Sequence, residues 1–170
     1  KKNITISKKI SQLAHKYNIS VEGEIGEVGY SKGKNSKSTN VDEAIEYSSK
    51  SKIDAMAISV GNTHLQTSKI AKINFNKILE IQKVTKIPLV LHGSSGISYK
   101  IRKKIANTTQ VAKFNIGTEL RMVACKSLRK SYNRNIKNFD KISIIKPSIQ
   151  DLTKETIKVI KNIGPRNVKK

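Results

Sequence analysis

Three features of the 170-residue sequence predict an α/β fold built on a parallel sheet. Four short apolar runs recur, at Val21–Ile25, Ala55–Val60, Ile87–Leu91 and Val111–Ile116. Their starts are 34, 32 and 24 positions apart, the length of a strand–loop–helix–loop unit. A helical pattern follows each run, and alternating units of this kind place their strands side by side in parallel.

In chain order, Ile6, Ile10, Leu13, Ala14 and Tyr17 mark one face of an opening helix. The run at Val21–Ile25 reads as the first strand although it carries two glutamates. The segment Gly26–Thr39, rich in Ser, Lys, Asn and Gly, reads as a long mobile strand-to-helix loop. Asn40 then caps a helix through about Ser51, with Asp42 and Glu43 at its positive end. Asn74 caps a helix over Phe75–Lys86, in which Phe75, Ile78, Leu79 and Gln82 are helically spaced and Pro88 follows the end. Ser98 starts a helix through Asn107. Thr118 starts a longer one to about Asn133, with Leu120, Val123, Ala124, Ser127 and Leu128 on one stripe. Lys137–Pro147 reads as an irregular connection, and Ser148 as the cap of a closing helix to about Ile163. Four such units are half of a (β/α)₈ barrel, which needs about 250 residues when complete. A self-contained four-stranded α/β sandwich is the alternative.

A hydrophobic fraction of 36% suffices for one core of ordinary size. No run approaches the roughly 18 apolar residues needed to span a bilayer, and no signal-peptide pattern opens the chain. The single cysteine, Cys125, excludes an internal disulfide and a Cys-based zinc cage. A soluble, cytoplasmic protein with no membrane partner is the expectation. The formal net charge is +22, but 29 of the 34 basic residues are Lys, and Lys, Asn and Ile together make up 40% of the chain. These three are encoded by A/T-rich codons. The lysines are scattered through every segment instead of forming an Arg- and aromatic-rich face, so a nucleic-acid partner is not expected. A basic surface equally steers anionic metabolites toward a site. The opening Lys1-Lys2-Asn3, without methionine, suggests a piece of a longer chain.

Polar residues gather where each strand should end, the edge that carries active sites in barrels. These ends read Glu22-Gly23-Glu24-Ile25-Gly26, Gly61-Asn62-Thr63-His64, His92-Gly93-Ser94-Ser95-Gly96 and Asn115-Ile116-Gly117-Thr118. His64 and His92 occupy equivalent positions on consecutive strands. Adjacent strands lie roughly 4.8 Å apart, so the two imidazoles can share one ion. A carboxylate from another strand end would complete a His₂Glu set with an open position for substrate. Nitrogen ligands favour zinc over magnesium or calcium. Glu24 is a candidate, but it equally suits a salt bridge to a lysine, as Glu22 does. His15, on the opening helix, reads as a surface residue. Gly93-Ser94-Ser95-Gly96 allows backbone N–H groups to converge on phosphate oxygens, although alone it is also an ordinary tight turn. Asn115–Thr118 sits at the next strand end before a helix N-terminus. Two such loops after consecutive late strands match the usual phosphate site of barrel enzymes.

The segments VEGEIG, VGNTH, IPLVLHGSSG and KFNIGTELR, in this order, resemble the second half of class II ketose-bisphosphate aldolases, from about Asn3 to the C-terminus. The resemblance implies a zinc-dependent (β/α)₈ TIM barrel, of which residues 1–170 would be the C-terminal half of a single domain, covering roughly strands five to eight. It implies a homodimer or homotetramer. His64 and His92 match two zinc histidines, and Glu24 a glutamate that ligates metal in some members. Gly93, Ser94 and Ser95 match the first dihydroxyacetone-phosphate loop; Asn115, Ile116, Gly117 and Thr118 match the second. A monovalent cation near the phosphate site is a further implied ion. The proton-transferring aspartate and first zinc histidine of the family belong to earlier strands, so no catalytic acid or base is expected within these residues.

The expected activity is reversible cleavage of fructose 1,6-bisphosphate to dihydroxyacetone phosphate and glyceraldehyde 3-phosphate, in carbohydrate metabolism. Tagatose-1,6-bisphosphate cleavage is the alternative, as is a non-catalytic phosphosugar-binding remnant. Three departures from the family pattern stand out. Leu65 replaces a glycine after the histidine matched to His64. Lys69 aligns with the phosphate-holding lysine only across a gap. The loop Gly29-Tyr30-Ser31-Lys32 is basic where relatives carry glycines and acids.

Overall fold

The computed structural model describes residues 2–30, 36–134 and 136–164. Its sheet has four parallel strands, β1 (Glu22–Ile25), β2 (Ala55–Ile58), β3 (Leu89–Leu91) and β4 (Val111–Phe114), in the order β1-β2-β3-β4. Registers pair Glu22 with Ala55, Met56 with Leu89 and Leu91 with Phe114, with an irregularity between Leu89 and Val90. Right-handed crossovers between strands in sequential order put the three connecting helices on the same face. That is the winding of a barrel, and the chain forms a partial (β/α)₈ barrel instead of a sandwich with helices on both faces.

The helices are α1 (Lys2–His15), α2 (Val41–Ser51), α3 (Phe75–Val84), α4 (Tyr99–Thr108), α5 (Thr118–Arg134) and α6 (Lys141–Ile163). Asn40, Asn74 and Ser98 cap α2, α3 and α4 through their side-chain oxygens, as expected. Alternation along the strands sends Ile25, Met56, Ile58, Leu89, Leu91 and Val111 into a core with Ala44, Tyr47, Ile78, Ile81 and Ile105 of the helices. Gly23 lies on this side because a Cβ there would sit 2.3 Å from the Tyr47 hydroxyl. Glu22 and Glu24 therefore point to the opposite, concave face.

Three expectations need correction. The apolar stripe of α1 faces outward: Ile6, Ile10, Leu13 and Tyr17 are exposed, while Ser7 and Ser11 are buried. Small side chains let α1 approach α2, and the Ser7 hydroxyl lies 2.8 Å from that of Tyr47. The closing helix begins at Lys141 instead of after Ser148. Asp140 accepts from the Ile142 and Ser143 N–H groups, and Pro147 lies inside the helix, so Lys137–Pro147 is not an irregular connection throughout. The loop between Gly26 and Thr39 has an ordered stem, in which Glu27 and Lys37 exchange two backbone hydrogen bonds of 2.8 Å; its residues 31–35 lie outside the described residues. His15 is at the surface, as expected, with Nε2 2.9 Å from Asp54 Oδ2 at the end of the sheet remote from the site.

Candidate functional site

The polar strand ends meet at one edge of the sheet, and two devices fix their positions. Asn62 is fully buried; its Oδ1 accepts from Val60 N–H at 2.8 Å, and its Nδ2 donates to Ile58 O and to His92 O at 3.2 and 3.0 Å. The amide thereby staples the loop carrying His64 to the strand end carrying His92. Gly93, at φ +61°, lies where a Cβ would be 2.4 Å from Thr63 O, so only glycine lets the two loops approach this closely.

The two imidazoles come together as predicted, with ring centroids 5.9 Å apart. Tyr30 covers the His64 ring at 5.1 Å, and the His64 backbone N–H donates to Gly29 O at 2.8 Å. Burial, reinforced by His92 and opposed by Glu24, holds the His64 imidazole below its ordinary value and so favours the neutral, ligating form. His92 meets two carboxylates: Nε2 lies 2.8 Å from Glu22 Oε1, and Nδ1 lies 3.5 Å from Glu24 Oε2. Glu22 also accepts from Lys113 Nζ at 2.8 Å. Burial alone would raise the Glu22 carboxyl, but the bonds from Lys113 and His92 pull it below the usual carboxylate range. β1 and β4 are three strands apart, about 14 Å on a flat sheet. The Glu22–Lys113 pair forms because the sheet curls toward this face.

The residues present fit a divalent cation in kind, since two imidazoles and a carboxylate at neighbouring strand ends are the donor types of a zinc site. Among the described residues no three of the His, Cys, Asp and Glu side chains already converge as a ligand set.

Beside the histidines is a cleft of about 460 Å³ lined by His64, Leu65, Gly93, Ser95, Phe114, Asn115, Ile116, Gly117, Thr118 and Arg121. Most of the residues expected to bind substrate thus share one cavity wall. Ser94 lies fully buried beneath it: its hydroxyl donates to Leu91 O at 2.7 Å and its N–H to Asn115 O at 3.1 Å, tying the two glycine-containing loops together. Leu65 adopts φ +57°, a conformation that favours glycine, so its substitution for the expected glycine leaves a strained leucine at the cleft.

Lys69 is placed differently from the other expected residues. It lines a neighbouring cavity of about 670 Å³, where its Nζ lies 2.5 Å from Glu119 Oε2 and 4.8 Å above the Tyr99 ring. Burial lowers the Lys69 ammonium despite the facing carboxylate. Tyr99 is raised above its ordinary value by burial and by the carboxylates of Glu155 and Glu119.

Two side chains that shape the cleft do not stand out in the sequence. Arg121, one turn into α5, lies against Gly117, where a Cβ would sit 3.4 Å from its guanidinium, and adds positive charge to the cleft. Its spacing of three from Thr118 was the available signal. Asn62 reads in the sequence only as part of a strand end, because its partner His92 lies 30 positions away.

The family model for class II fructose-bisphosphate aldolase matches residues 1–167. A fructose-bisphosphate aldolase of Mycoplasma genitalium is 35% identical over 175 aligned positions, covering 97% of this chain and 60% of the relative. The chain therefore spans about three fifths of that relative's length. The crystal structure of the YdjI aldolase from Escherichia coli K12 superposes with a TM-score of 0.77 at 27% identity, over 97% of this chain and 56% of that one. The structure of a putative fructose-1,6-bisphosphate aldolase from Coccidioides immitis, with a TM-score of 0.78 at 17% identity over 95% and 58% of the two chains, shares the fold. Sequential parallel winding, paired strand-end histidines and two glycine-containing loops are thus found together in a chain matched over nearly its whole length, and it belongs to the class II fructose-bisphosphate aldolase family.

Proposed function

We propose that residues 1–170 form the C-terminal half of the barrel of a zinc-dependent aldolase that cleaves fructose 1,6-bisphosphate, working in the cytoplasm as a homo-oligomer. The observation that carries this reading is the cleft in which His64 adjoins Gly93, Ser95 and Asn115–Thr118. His64, His92 and Glu24 would hold the zinc, which when bound supplies Lewis-acid polarisation of the substrate carbonyl. The chain's own groups do the rest. Gly93 and the Gly117–Thr118 peptide units, at the N-terminal end of α5, present N–H donors to the phosphate of the dihydroxyacetone half, and Arg121 adds charge there. Asn115 hydrogen-bonds the substrate close to the reacting carbons. Glu22, anchored by Lys113, orients the His92 ring. Phosphate binding is remote from the bond that breaks, and its contribution is orientation. The proton-transferring aspartate comes from the portion of the relatives that this chain does not span.

A substrate panel on the full-length protein tests this. Cleavage of fructose 1,6-bisphosphate that is abolished by a chelator and restored by zinc is expected. Preference for tagatose 1,6-bisphosphate would correct the substrate, and absence of cleavage of either with zinc restored would overturn the aldolase reading.

A further inference from the structure

Behind the cleft, one carboxylate gathers three loops. Glu119, in the first turn of α5, is 8% exposed at its side chain. It accepts from Arg102 Nη1 at Oε2 (2.7 Å) and Nη2 at Oε1 (3.2 Å), while Lys69 Nζ pairs with Oε2; the Tyr99 hydroxyl, with one proton to donate, lies between Glu119 Oε1 (2.7 Å) and Glu155 Oε1 (2.5 Å). Its own N–H donates to Ser95 Oγ at 3.1 Å. Lys69 follows His64 in the loop after β2. Ser95, Tyr99 and Arg102 belong to the turn and helix after β3, and Glu119 immediately follows Gly117–Thr118 after β4. The carboxylate thus ties the loop after β2 and the helix after β3 to the start of α5, and the Glu119 backbone N–H adds the Ser95 turn, yet neither Glu119 nor Arg102 lines the cleft.

Arg102 is wholly buried, and among the described residues its only ion pair is with Glu119. A buried guanidinium is costly unless paired, and an apolar residue would fill the same space at less cost. What the pair adds is geometry: the two-pronged contact fixes both partners in one plane. Backbone N–H donors orient a phosphate only when held within a fraction of an ångström. We propose that Glu119 is a positioning residue for the phosphate end of the cleft. Clamped by Arg102, it sets the Ser95 turn and the Gly117–Thr118 peptide units in register. This rests on the reading, given above, that those loops hold a phosphate group.

The test uses the full-length protein, with inorganic phosphate as competitive inhibitor and zinc content measured alongside. Glu119→Gln is expected to raise KM for the ketose bisphosphate and the inhibition constant of phosphate together, by about tenfold or more, with zinc stoichiometry kept; Glu119→Asp falls between it and wild type. A purely structural role lowers the melting temperature and the active fraction, hence the apparent kcat, and leaves KM unchanged, which overturns the proposal. If Glu119→Gln does not fold, the pair Glu119→Gln with Arg102→Met removes both charges, and a wild-type KM in that pair also overturns it. A wild-type protein that neither cleaves the bisphosphate nor binds phosphate overturns the aldolase reading as well.

Discussion

Leu65 shows how one side chain can reshape a site without contributing chemistry. Its φ of +57° is a conformation in which an L side chain crowds the backbone at a cost on the order of 1 kcal/mol. Leu65 lines the cleft together with His64 and Gly93. Leu65→Gly relieves the crowding and widens the entrance. The expected result in the full-length protein is a lower KM for the ketose bisphosphate, with stability changed by no more than about 1 kcal/mol, because glycine's unfolded-state entropy offsets part of the relief. A raised KM would show that the site has adapted to leucine.

At the scale of elements, caps were legible where an Asn or Ser preceded an apolar period, as at Asn40, Asn74 and Ser98. Ser148, directly after Pro147, looks like a cap for the closing helix, while the actual cap, Asp140, lies eight residues earlier. A proline inside a helix removes one backbone bond. Here packing of α6 on α5, including the Ser127 hydroxyl at 2.7 Å from Asp151 Oδ2, carries the helix through it. Asp140→Ala should therefore speed hydrogen exchange at the amides of Ile142 and Ser143 and lower the melting temperature, whereas Ser148→Ala should leave those amides unchanged. The reverse pattern would move the helix start back to Ser148. The α1 stripe was misread for another reason. Periodicity shows that a helix has an apolar face, but which face packs was decided by Ser7 and Ser11 lying close against α2. In the site, strand-end residues were legible from their position after apolar runs. The Glu119–Arg102 clamp was not, because a charged residue's buried partner 17 positions away leaves no local pattern.

For the whole molecule, sequential winding leaves β1 and β4 each with an unpaired edge within the described sheet, and leaves the concave face with Glu22, Glu24 and Lys113 exposed to solvent in part. Such edges are sites of aggregation unless covered. A protein of these 170 residues made alone should not melt cooperatively, and its strand amides should exchange quickly. A sharp two-state transition with protected amides in all four strands would contradict this. Among the described residues no helix is long and apolar enough to cross a membrane.

The proposed cleavage requires His64 and His92 to serve one metal ion. The most direct measurement is zinc content and bisphosphate cleavage in the full-length protein carrying His92→Ala, with His15→Ala as control, since His15 pairs with Asp54 at the far end of the sheet. His92→Ala should lose both zinc and cleavage, while His15→Ala keeps both. Stoichiometric zinc with wild-type cleavage in His92→Ala would contradict the metal assignment and the aldolase mechanism built on it.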